Sequence, residues 1–182
     1  MEVFWCQGFE ATGMPHLVEA MGIGRQSLYN AFESKRGLFL EALRLYQSER
    51  SKSLQKVLAA APSPLAGIET LLTSIATSSG VARTRGCMSV NTAAEIGTSD
   101  EEVAAILRQG ALRSKADIAA ALAQAKQQDE LPPTLDETAA ADFVLTVMRG
   151  LRLSAKAGAS VTETRNVVRM ALSALRHVQP EA

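Results

Sequence analysis

An all-α fold is predicted by three features of the 182-residue chain. Apolar residues recur at three-to-four spacing in successive segments, the stripe by which an amphipathic helix buries one face. Ala is abundant and β-branched runs are short, which favours helix over strand. Capping residues alternate with Gly and Pro breaks at helix-length intervals. With 47 % apolar residues, 12 Gly and 6 Pro, the chain has enough apolar side chains for a packed core and too few breakers for long disorder.

The first clear helix runs from about Met14 to Met21, with Leu17, Val18 and Met21 on one face. Gly22 ends it, and Ile23 plugs the turn from inside. Gly24 opens a second helix, in which Leu28 and Phe32 lie four apart. Its other face shows Arg25, Gln26, Ser27, Tyr29 and Asn30. A buried helix would not carry that row, and an ordinary solvated helix would carry more Glu and Lys. A helix placed in a DNA major groove needs this mix of donors and acceptors for base edges and phosphates.

Ser34 is expected to cap a long helix over about Lys35 to Ala60, apolar along Leu38, Ala42, Leu45 and Tyr46. Pro62 and Pro64 separate it from a helix over about Leu65 to Ser79, striped by Leu65, Ile68, Leu71, Leu72 and Ile75. Gly80 to Gly86 reads as a loop, and Cys87 to Ile96 as a short, mostly buried helix. Gly97-Thr98-Ser99-Asp100 ends that helix, and Ser99 with Glu102 has the spacing of a capping box for a helix reaching about Gln128. Its inner face is predicted as Val103, Ile106, Leu107, Ile118 and Leu122. After Leu131-Pro132-Pro133, Thr134 with Glu137 and Ser160 with Glu163 form two further boxes. They start the last helices, about 136–157 and 161–178, with Gly158 as the stop between them.

Those last helices carry apolar residues on more than one face. One core needs one stripe, so the surplus suggests a four-helix interface with a second copy. The expected interface residues are Val144, Met148, Leu151, Val168, Ala171, Leu172 and Leu175.

The stretch from Phe4 to about Tyr46 resembles the DNA-binding head of the TetR family of bacterial repressors. The matching elements are Gly8-Phe9 before the first motif helix, the Gly22-Ile23 turn, Leu28-Tyr29-Asn30-Ala31-Phe32 in the recognition helix, and Ser34-Lys35 opening the next helix. Gly24 departs from the pattern, which more often has a capping Ser or Thr there. Met1 to Gln7 looks like the second half of the family's first helix, as if the chain were trimmed or its start assigned late. The resemblance implies a helix-turn-helix head, residues 1–46, and a helical ligand-binding and dimerisation body, residues 47–182. It also implies dimerisation through the last two helices and a double-stranded operator, with half-sites about one DNA turn apart.

On this reading Arg25, Gln26 and Ser27 reach base edges or phosphates, with Tyr29 and Asn30 beside them. Thr12 and Lys35 sit at helix starts, where phosphate is favoured. A small-molecule effector is expected in the body, walled by Ile75, Met88, Phe143 and Met148 and oriented by Asn91 and Glu95. Cys87 follows Arg83 and Arg85 near a helix start, a setting that favours a reactive thiolate. Some members of the family sense electrophiles or oxidants through such a cysteine, whereas a free Cys is more often simply a small buried apolar residue. The function implied is a ligand-responsive repressor. The alternatives are a cysteine-based electrophile or redox sensor and a DNA-inactive helical ligand-binding dimer.

The formal net charge is zero, and residues 1–50 hold five Lys or Arg against six Glu. A DNA-binding head is usually more basic, which counts toward the DNA-inactive alternative. Two cysteines make neither a disulfide framework nor a metal pattern. His16 and His177 lack ligand partners in the sequence, and no cofactor is expected. There is no leader and no apolar run of spanning length, so a cytoplasmic chain without a membrane partner is expected. Neither paired catalytic carboxylates, a nucleotide-binding glycine loop nor a nucleophile–base set is present, which disfavours an enzyme.

Overall fold

The computed structural model describes residues 1–97 and 99–178, and among these every regular element is a helix. In order they are α1 (Glu2–Gln7), α2 (Met14–Met21), α3 (Arg25–Phe32), α4 (Lys35–Ala60), α5 (Pro64–Ala76), α6 (Gly80–Thr84), α7 (Met88–Ile96), α8 (Glu101–Gln127), α9 (Glu137–Lys156) and α10 (Val161–Arg176).

Two compact units emerge. The first joins residues 1–50 to 87–109, and the second joins 51–86 to the chain from Gly110 onward. Residue 46, the expected end of the head, is thus close to the first crossing, but α7 and the first turns of α8 also belong to the head unit. Their side chains explain why. Met88, Ile96, Val103 and Ile106 are buried in one cluster with Phe4, Leu17, Leu28, Phe39, Leu43 and Tyr46.

In the head unit the turns follow from local chemistry. Gly13 takes an extended conformation ahead of α2, which has a Pro in its first turn. Gly22 stops α2 in the left-handed region, φ 63°, where a Cβ would be strained. Gly24 precedes α3 with no side-chain cap, as expected where Ser or Thr is missing. Ser34 Oγ accepts from the Gly37 N–H at 3.0 Å and caps α4.

In the second unit α5 packs against both α9 and α10. Ile68, in the middle of the predicted stripe, is fully buried, as are Leu72, Ile118, Leu122, Ala141 and Val144 of the same core. The hydroxyl of buried Thr164 on α10 donates to the Ala76 carbonyl at the end of α5, 2.8 Å away. The stripe predicted along α8 is shared between the cores, Val103 and Ile106 in the first and Ile118 and Leu122 in the second.

α5 ends at Ala76, short of the expected Ser79, and three further boundaries differ from expectation. Residues 80–84 form the short helix α6 rather than loop, held by Arg83, which donates to the carbonyls of Ala76, Ser78 and Ala159. Asp100, not Ser99, caps α8: its carboxylate accepts from the N–H groups of Glu102 (3.0 Å) and Val103 (3.1 Å), while Ser99 Oγ donates back to Ile96. Thr98 of the same segment lies outside the described residues. Asp136, not Thr134, caps α9, accepting from Thr138 (2.8 Å) and Ala139 (3.1 Å). Leu135 is buried and its N–H is bonded to Pro132, so the turn continues two residues past Thr134. The box at Ser160 and Glu163 is complete.

The residues expected at a dimer interface also need correcting. Val144, Met148, Leu151, Val168, Ala171, Leu172 and Leu175 are all buried in the second unit's own core. Both helices also leave large apolar side chains exposed: Phe143 and Leu153 on α9, and Val161, Val167 and Met170 on α10. Sequence periodicity shows apolar residues on more than one face but does not say which face α5 covers.

Candidate nucleic-acid interface

The recognition helix is short, and its two faces are unequal. Leu28 is fully buried and Phe32 half-buried, whereas Arg25, Gln26, Ser27 and Asn30 are exposed and Tyr29 is half-buried. The polar side chains are ordered by one another. Gln26 Nε2 donates to Asn30 Oδ1 at 2.9 Å, one turn on. The Arg25 guanidinium lies over the Tyr29 ring, 5.6 Å from its centroid. These contacts limit rotamer freedom before any base is met, which lowers the entropy cost of binding.

α4 supports the helix from below. A Cβ at Gly37 would overlap the Phe32 carbonyl oxygen, so only glycine lets the first turn of α4 approach the end of α3 this closely. Phe39 is the aromatic post. Phe4 meets it edge-on at 5.1 Å, Phe9 lies tilted against it at 4.9 Å, and Trp5 packs edge-on against Tyr46 at 4.8 Å.

Two residues expected at phosphates are occupied internally. Thr12 is fully buried, and its hydroxyl donates to the Gly8 carbonyl at 2.5 Å. Lys35 Nζ donates to the carbonyls of Phe9 (2.9 Å) and Thr12 (3.1 Å) and lies 4.4 Å from the Phe9 ring centroid. The loop between α1 and α2 leaves carbonyls without helical partners, and these side chains satisfy them.

The expected effector residues are divided. Cys87, Met88, Asn91 and Glu95 belong to the first unit, and Ile75, Phe143 and Met148 to the second. Met88 is buried in the head core, Ile75 and Met148 are buried in the second core, and Phe143 is exposed. Cys87 precedes α7, half-buried, with its Sγ accepting from the Tyr46 hydroxyl at 3.3 Å. Thr92, in the same segment, is buried and Asn91 half-buried. Glu95 binds backbone, accepting from the N–H groups of Phe9 and Glu10.

An ionic network unseen in the sequence ties α4 to the start of α8. Arg36 makes a two-pronged contact with Asp100, at 2.8 and 2.9 Å, and reaches Glu102 at 3.1 Å. Arg44 joins Glu102 at 2.7 Å and Glu41 at 2.6 Å. Asp100 is pushed down to about 2, first by the Arg36 hydrogen bonds and then by the Val103 N–H, and Arg36 is raised in turn. Most of these groups are half in water, so solvent screens each pair and its contribution to stability is small.

Residues 1–42 match the bacterial regulatory proteins of the tetR family, and residues 66–171 match the tetracyclin repressor-like C-terminal domain. The chain belongs to the TetR family of bacterial transcriptional regulators. It is 28 % identical over 178 residues to the HTH-type transcriptional repressor ComR of Escherichia coli K12, covering 92 % of this chain and 80 % of that one. A cysteine mutant of the TetR family regulator CifR, solved with 26-bp double-strand operator DNA, is 32 % identical with a TM-score of 0.80 and coverage of 95 % and 91 %. The reduced form of E. coli NemR shares the fold, with a TM-score of 0.85 at 18 % identity over 100 % of this chain and 94 % of that one. The family is one of DNA-binding regulators, not of enzymes. No helix among the described residues is long and apolar enough to cross a membrane. Among the same residues there is no group of three or more His, Cys, Asp and Glu able to hold a metal.

The Asp100 link gives this TetR-family head an acid-sensitive element. Its carboxyl has a lower pKa folded (about 2) than its ordinary 3.8, so the stabilisation is complete above that ordinary value. It is lost as pH falls from there toward 2. The urea midpoint of the native chain should therefore fall over that interval more steeply than that of Asp100→Asn, measured by circular dichroism.

Proposed function

We propose that the chain is a ligand-responsive repressor that binds a two-fold operator as a homodimer in the cytoplasm. The observation that carries this reading is the exposed polar face of α3, ordered by the Arg25–Tyr29 and Gln26–Asn30 contacts and backed by a glycine-tight junction with α4. Arg25 and Gln26 suit guanine and adenine edges, and Ser27, Tyr29 and Asn30 suit flanking bases or phosphates. The uncapped first turn of α3 leaves backbone N–H groups for a phosphate.

A second copy is supported by the exposed apolar side chains of the last two helices. Phe143 and Gly150 lie at i and i+7 on α9 with half-buried Val147 between them, and α10 leaves Val167 and Met170 exposed. Nothing within 4 Å would meet a Cβ at Gly150, so a partner helix has room to approach there closely. Two heads on one rigid pair read two half-sites together. A small-molecule effector acts by preferring the arrangement in which the heads are wrongly spaced, and it shifts the equilibrium only by its difference in affinity for the two states.

A second reading is favoured by the Tyr46–Cys87 hydrogen bond. Modifying the thiol would disturb that contact, one of two hydrogen bonds that join α7 and its N-cap to α4. Alkylation of Cys87 by N-ethylmaleimide should then weaken DNA binding, and unchanged affinity removes this route. Arg25→Ala should cost about 1–3 kcal/mol of discrimination at one base pair of each half-site, read by fluorescence anisotropy on operator variants across a salt series. Sequence-independent binding by the native chain would defeat the repressor reading. Met170→Glu should convert the dimer to monomer in sedimentation velocity without loss of helicity, and a dimer that survives it uses another face.

A further inference from the structure

The loop 8–13, through which the chain enters the helix-turn-helix, is gripped from both sides by groups far away in sequence. On its N–H side the Glu95 carboxylate of α7 accepts from Phe9 at 3.0 Å and Glu10 at 2.9 Å. On its C=O side Lys35 of α4 donates to Phe9 and Thr12. The chain makes room for the carboxylate at residue 8. A Cβ on Gly8 would lie 2.8 Å from both Glu95 oxygens, and its φ of +84° is one that L side chains rarely adopt. The opposite end of α7 is also tied, where Gln47 Nε2 donates to Ser89 Oγ at 3.1 Å and Tyr46 to Cys87. α7 therefore acts as a strut between the middle of α4 and the entry to α2.

We infer that Glu95 is a positioning residue for DNA binding. It fixes the backbone of residues 9 and 10, and with it the angle at which α2 and α3 are presented, without touching DNA itself. Charge alone argues the other way. Glu95 adds a negative charge to a head that already has more Glu than Lys and Arg, and neutralising it would strengthen attraction to phosphate. A carboxylate kept against that cost is explained by the two backbone N–H groups it holds, since hydrogen bonds to an ionised acceptor are the stronger kind. Positioning and simple electrostatics thus predict opposite signs for the same substitution.

The inference rests on the DNA-binding reading above, so the native chain is tested first. Its duplex is selected from a random library, and anisotropy is then measured for native, Glu95→Gln and Glu95→Ala chains. Gln keeps one acceptor but turns an amide N–H toward the second donor, and Ala removes both contacts. Both should weaken binding, Ala by about tenfold: a head in its competent pose a third of the time costs that much when two heads must bind together. Thermal midpoints should stay close to native, and amide exchange at Phe9 and Glu10 should accelerate by NMR. Equal or tighter binding by Glu95→Gln overturns the inference and leaves the charge effect standing. Unchanged exchange at both amides overturns it as well, by removing the strap. A native chain that selects no duplex brings down the DNA-binding reading and this inference with it, an outcome distinct from the other two.

Discussion

The head depends on one constraint, the packing of three short helices onto the first three turns of α4. α1 has six residues, and α2 and α3 have eight each. Segments of that length do not hold a helix in water by themselves, because the cost of nucleation is spread over too few bonds. Each is stabilised by what it buries: Phe4 from α1, Leu17 from α2 and Leu28 from α3, against Phe39 and Leu43 of α4. The aromatic contacts at Phe39 and the absent side chain at Gly37 set how closely the pieces approach. The recognition face is rigid because the opposite face of the same eight residues is buried.

The loop between α1 and α2 shows how polar groups complete what packing begins. Its carbonyls meet Lys35 and the Thr12 hydroxyl, and its N–H groups meet Glu95. Lys35 and Thr12 are of the kind that a DNA-binding surface uses at phosphates. Backbone groups without helical partners must be satisfied, and in a loop this short side chains from neighbouring helices do so. The positive charge of Lys35 is consequently directed at the loop's own carbonyls, while Arg25 stays on the exposed face of α3.

α4 and α8 each continue from the first unit into the second within one unbroken helix. α8 contributes Val103 and Ile106 to one core and Ile118 and Leu122 to the other.

The sequence by itself determined the all-α class, the extents of α2 and α4 and the start of α3 to within a residue, the buried stripe of α5 and the capping box at Ser160. These follow from signals within one or two turns: periodicity, glycine stops and local caps. The exposed polar face of α3 was legible for the same reason, because Leu28 and Phe32 mark the side turned inward. Tertiary structure decided everything that joins distant residues. Glu95 pairs with a loop 85 and 86 residues away, and Arg36 with Asp100, 64 residues on. In its own segment of the sequence Asp100 looks like part of a helix break and Glu95 like a polar group facing an effector, and neither shows its distant partner. Which apolar residues of α9 and α10 are core and which are left exposed was equally hidden, since periodicity alone does not say which face α5 covers. Local spacing fixes what a helix offers, and only the arrangement of its neighbours fixes which offer is taken up.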